Sequence, residues 1–134
     1  KIFKLTDDHY AVMCCQHNYK PKSDIKMDNE KQTIYKRKNW SSLMLINCGH
    51  PSMKKLDLST VSEQSGEYLH QFKWLKDEEI GYIPTNWNWL VNWYEETVDN
   101  KPYALHFTEG GPWIADSEYK DLWLKYKKQM ENDK

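Results

Sequence analysis

Apolar residues fall along this chain in short runs broken by polar and glycine-containing turns. Residues 10–16 (Tyr-Ala-Val-Met-Cys-Cys-Gln) form an apolar run of strand length and predict a buried strand. Residues 17–38 are polar and lysine-rich, include Pro21, and carry no sustained period, which predicts a long surface loop. Residues 43–48 (Leu-Met-Leu-Ile-Asn-Cys) predict a second buried strand, left through Gly49-His50-Pro51. Ser59 or Thr60, with Glu63 as a capping-box partner, predicts a short helix closed by Gly66. Tyr68, Leu69, Phe72 and Leu75 share one face at helical spacing and predict a helix over 67–75. A short strand over 80–83 stops at Pro84. Trp87, Leu90, Val91 and Tyr94 make another helical stripe, opened by Asn86 or Asn88. Residues 103–107 read as the last strand. Tyr119, Leu122, Trp123, Tyr126 and Met130 mark an amphipathic helix at the carboxyl end, with Lys125, Lys127 and Lys128 in its outer turns.

Short buried strands alternating with helices predict an α/β fold, a mixed sheet with flanking helices, in one domain over 1–134. Such folds put ligand sites at the carboxyl ends of strands. Here those ends are His17, Asn47 and His106, all polar. After His106 comes Phe-Thr-Glu-Gly110-Gly111-Pro-Trp113. Paired glycines let backbone pass close to a bound group, and an imidazole beside them can ligate a metal or donate to a phosphate. The segment fits a nucleotide-diphosphate site, and equally a turn with a structural histidine.

Composition narrows this. With 19 basic and 20 acidic residues the net charge is -1, which gives no support for nucleic-acid binding. Seven tryptophans and nine tyrosines suit a core or a carbohydrate-handling surface. Cys14, Cys15 and Cys48 are odd in number and lack Cys-x-x-Cys spacing, so neither a disulfide framework nor a zinc knuckle is indicated. Cys14 and Cys48 read as buried thiols in a reducing, cytoplasmic compartment. No apolar run has membrane-spanning length. Asn39-Trp40-Ser41 matches a glycosylation sequon without a secretory context. Ser41 and Ser42 have no His-Asp arrangement near them in sequence and read as polar residues ahead of a strand. His9, His17 and His50 have no metal-type spacing to one another.

Several segments, in order, carry a family likeness: 3–16, 38–48 (Lys-Asn-Trp-Ser-Ser-Leu-Met-Leu-Ile-Asn-Cys), Leu69-His70-Gln71, Ile80-Gly-Tyr-Ile-Pro84 with Trp87-Asn88, and His106 to Trp113. Together they resemble glycosyltransferases of the glycogenin and lipopolysaccharide-galactosyltransferase type, which have the nucleotide-sugar-binding GT-A fold, and in particular a bacterial and viral branch of that group. The resemblance implies transfer of a sugar from a nucleotide-sugar donor to a carbohydrate or glycolipid acceptor, with Mn²⁺ or Mg²⁺ held between aspartates and the diphosphate. It implies His106 as a metal ligand, Asn47, Gly110, Gly111 and Trp113 at the donor and diphosphate, and Gln71 and His70 at the reacting centre. Trp40 and Trp87 would shape the pockets. The chain departs from the pattern in lacking an upstream Asp-x-Asp, in Gly111 replacing a lysine, and in His70 replacing an aspartate. It therefore reads as the acceptor-side half of such a domain, a fragment or a truncated form. A half-domain exposes sheet edge, which points to a homo-oligomer or to a separate amino-terminal half as partner. The alternative is a non-enzymatic carbohydrate-binding or protein-interaction module.

Overall fold

The computed structural model describes residues 1–21, 23–25, 31, 34–114 and 116–133. Its centre is β1 (Val12–Cys14), buried on both faces. β1 pairs antiparallel with β2 (Met44–Ile46), Val12 facing Ile46 and Cys14 facing Met44. On its other side it pairs parallel with β3 (Ile80–Tyr82), Val12 facing Ile80. A second, two-stranded sheet joins β4 (Trp89–Leu90) in parallel to β5 (Leu105–His106). Three helices, α1 (Leu58–Glu63), α2 (Gly66–His70) and α3 (Lys120–Asn132), and several 3-10 turns complete the described elements. The coarse class is α/β with a mixed sheet.

Strand alternation divides the core in two. Val12 and Cys14 face Phe72, Trp74 and Leu75. Met13 faces the other way, with Cys15, Ile83, Leu43 and Trp87. Gly81 lies where a Cβ would come within 2.5 Å of the Tyr10 ring and 2.8 Å of Met13, so a side chain there has no room.

Several expectations are corrected. The strand expected over 43–48 is not a buried one: it is paired on one side only among the described residues, and Met44 and Ile46 are 40% and 46% exposed. Cys48, just beyond it, is exposed rather than buried. Asp57 caps α1, its carboxylate accepting from the Thr60 amide at 2.8 Å, in place of Ser59 or Thr60. Gly66 opens α2 instead of closing α1, and Ser65 is its cap. The helix expected over 67–75 ends at His70. Phe72 takes a left-handed φ of 54°, and the Lys73 amide reaches back to the Tyr68 carbonyl and the Phe72 amide to Leu69. This is a Schellman ending built on phenylalanine instead of glycine. The apolar period survived because Phe72 and Leu75 still enter the core, at 2% and 8% exposure.

The stripe Trp87, Leu90, Val91 and Tyr94 is not one helix. It is a 3-10 turn (Thr85–Asn88) running into β4. Trp89 donates its amide to Ala104 and Val91 donates to His106, so pairing with β5 replaces helical bonds. The last strand is shorter than 103–107, and the carboxyl-terminal helix matches expectation. Part of the 17–38 loop (22, 26–30, 32 and 33) lies outside the described residues. Among the described part, Tyr19 is buried and Ile25 bridges to Lys31.

Candidate functional site

The carboxyl end of β1 delivers His17 into the interior, at 4% exposure. Asn88 Nδ2 donates to His17 Nε2 (3.0 Å) and to Ser42 Oγ (2.7 Å). With Nε2 accepting, Nδ1 carries the proton and donates to the Tyr94 hydroxyl at 2.8 Å. Ser42 in turn donates to the Asn39 carbonyl at 2.6 Å. Burial, and then the charge of nearby His106, lowers the His17 pKa from 6.5 to about 4. Burial pushes Tyr94 up to about 12. The network is neutral and closed at neutral pH.

β5 brings His106 to the same neighbourhood. Its pKa is lowered by burial, so it too is neutral, and its Nδ1 is buried with no hydrogen-bond partner. An orphaned buried nitrogen is uncommon and costly. The turn that follows is tight: Thr108 donates its amide to the His106 carbonyl, and Gly110 donates to Phe107. Gly110 has φ +96°, and a Cβ on Gly111 would fall inside the Trp113 ring. Asn39 Nδ2 clasps this turn by donating to Thr108 Oγ1 at 2.8 Å. The Tyr19 hydroxyl faces the Glu109 carboxylate, which adds to the upward pKa shift begun by burial.

A third group forms around the 3-10 turn Trp40–Ser42. Trp40 Nε1 donates to the His17 carbonyl at 2.9 Å. Ser41 Oγ and His70 Nδ1 share a bond of 2.7 Å, and Ser42 meets Asn88. Three consecutive residues thus tie His17, His70 and Asn88 together. Sequence reasoning missed this, as it missed Asn88 and Tyr94; no spacing rule marks a turn whose partners are 29 and 46 residues away. The Ser41–His70 contact puts a hydroxyl and an imidazole in hydrogen-bond reach, a meeting the linear sequence did not show, and no carboxylate hydrogen-bonds His70 in the described network.

The remaining expected site residues scatter. Asn47 sits at the opposite end of β1 from His17, because β2 runs antiparallel: its amide donates to the Ala11 carbonyl (3.0 Å) and its side chain to the Asp8 carbonyl (3.2 Å). Gln71 is buried and braced, its Nε2 donating to Glu67 Oε1 at 2.8 Å and its carbonyl accepting from Arg37 at 2.9 Å. Trp113 is 66% exposed and packs on Trp123, ring centres 5.0 Å apart. Trp87 is partly buried, packed against the core on one side and against Tyr103 on another.

Among the described residues no group of three or more His, Cys, Asp or Glu side chains could hold a metal ion. The His106 nitrogen suits one corner of a divalent-ion site, being neutral and unpartnered; the carboxylates such an ion requires are not gathered beside it. No helix among the described residues is long and apolar enough to cross a membrane. No protein-family model matches the chain, and no solved structure matches it. The chain is similar to Protein CDI of Arabidopsis thaliana, 50% identical over 130 residues that cover 92% of this chain and 50% of the plant protein. It therefore spans about half the length of that relative.

Proposed function

We propose that this chain is the acceptor-side part of a nucleotide-sugar glycosyltransferase, passing a sugar to a carbohydrate or lipid-linked acceptor. The Asp-x-Asp half would be supplied by residues outside these 134. The observation that carries this reading is His106: a neutral imidazole at a strand's carboxyl end, with an unpartnered buried nitrogen, beside a turn at Gly110 that bends through positive φ. A plant relative about twice the matched length supports a further half in the whole protein.

Bound Mn²⁺ or Mg²⁺ would neutralise the charge that gathers on a departing diphosphate. The chain's own residues have separate tasks. His106, held neutral by burial, would offer its nitrogen to the ion. Gly110 and Gly111 let the turn after His106 close against Ile114 and Trp113. The His17–Asn88–Tyr94 network ties the segment after β1 to the residues on either side of β4. His70, bonded to Ser41, and Gln71, bonded to Glu67, would serve the reacting centre.

The test is titration calorimetry with Mn²⁺ and a series of nucleoside diphosphates on the full-length protein. His106→Ala should weaken metal-dependent binding at least about tenfold, a loss of about 1.4 kcal/mol. If the variant binds and turns over like the wild type, His106 is structural and the transferase reading fails. A carbohydrate-binding module is the second reading, favoured by the exposed rings of Tyr103 and Trp113, 70% and 66% accessible. It is distinguished by heat on adding oligosaccharides and none with nucleoside diphosphates.

A further inference from the structure

On the face of β5 away from His106 lies a groove that the transferase reading does not use. Side chains alternate along the strand, so Leu105 and Phe107 point opposite to His106. They face α3 across a cavity of about 640 Å³, within the range of about 300–1,000 Å³ that small-ligand pockets occupy. Leu122, Trp123, Tyr126 and Lys127 line it from the helix side. The helix stripe is only half covered: Leu122 is 39% and Tyr126 62% exposed.

Charge says what kind of molecule fits. α3 carries four lysines against Asp121 and Glu131, a local surplus of +2 on a chain whose net charge is -1. Lys127 Nζ lies 5.7 Å over the Trp123 ring, and its carboxylate neighbour, Glu131, is 3.9 Å away, a loose surface pair. A cation among the residues of an apolar, aromatic-walled groove complements one ligand class: an alkyl chain that ends in an anionic head.

We propose that this groove binds a single-chain anionic amphiphile, its tail against Leu105, Phe107, Leu122 and Tyr126 and its head at Lys127. His106 is not among the residues that line this groove, and the proposal stands or falls without the transferase reading.

Dodecyl phosphate below its micelle concentration is the probe, followed by calorimetry and tryptophan fluorescence on the 134-residue chain. One molecule should bind per chain, with a change in emission as Trp123 loses water. Lys127→Glu should weaken binding at least tenfold, and Leu122→Glu, a change at a half-exposed position that the fold tolerates, should abolish it. Dodecanol should bind at least tenfold more weakly than the phosphate, and inorganic phosphate should not bind. Equal affinity in the wild type and Lys127→Glu overturns the proposal. So does binding to anionic vesicles without binding of the monomeric probe. So does self-association that Leu122→Glu abolishes in a chain that takes up no probe.

Discussion

Acidifying the solution should destabilise this protein through His17 well before its carboxylates protonate. His17 is buried and neutral, with a pKa lowered from 6.5 to about 4 chiefly by burial and secondarily by His106. Above pH 6.5 neither the folded nor the unfolded chain is protonated there, and the folded state keeps its full stability. Between pH 6.5 and 4 the unfolded chain takes up a proton that the folded chain refuses. Stability therefore falls with falling pH across that window and levels off below it, as far as this group is concerned. A shift of this size corresponds to about 3 kcal/mol, a large share of the 5–15 kcal/mol typical of whole domains, roughly speaking. His106, lowered in the same direction, adds to the slope. Asp57, Glu67 and Glu79 have lowered carboxyl pKa values, so their contributions are lost later, below the ordinary carboxylate range. Urea unfolding at half-unit steps from pH 7.5 to 4.5 measures the slope, and His17→Gln should flatten it by up to one proton. NMR of the wild-type imidazoles gives an independent reading that needs no variant. A His17 ring that titrates near 6.5 in the folded chain would refute the reasoning.

Asn88→Ala removes the donor to both His17 and Ser42, leaving the buried His17 Nε2 unpaired. It should cost about 1–3 kcal/mol, read from the denaturation midpoint, and should raise the His17 pKa by admitting water. Gly81→Ala drives a methyl into Tyr10 and Met13 and should cost about 1–3 kcal/mol by overpacking, seen as a lower melting temperature. Phe72→Ala should cost about 3–5 kcal/mol for the lost core ring. Phe72→Gly should be no worse and up to about 1 kcal/mol better than Phe72→Ala, because glycine relieves the left-handed backbone at φ 54°. A glycine variant clearly less stable than the alanine one would show that the strain is not felt.

The apolar run at 10–16 determined its own fate. Consecutive buried side chains suit only a strand covered on both faces, and β1 is that strand. The period at 119–130 likewise marked α3, because it runs over several turns and so distinguishes a helix from a strand. Shorter patterns did not carry their element type. Trp87, Leu90 and Val91 satisfy a helical spacing, yet cross-strand bonds to Ala104 and His106 made them a turn and a strand. Period locates the core face of Phe72 and Leu75 but says nothing of where a helix stops. Strand direction was also invisible: Asn47 ends a strand as His17 does, and only the antiparallel pairing of β2 sends it to the other end of the sheet. The neutral charge state of His17 and the meeting of Ser41 with His70 belong to the tertiary structure alone. Both arise from residues tens of positions apart, and a side chain's solvation and partners are set by what the folded chain places next to it.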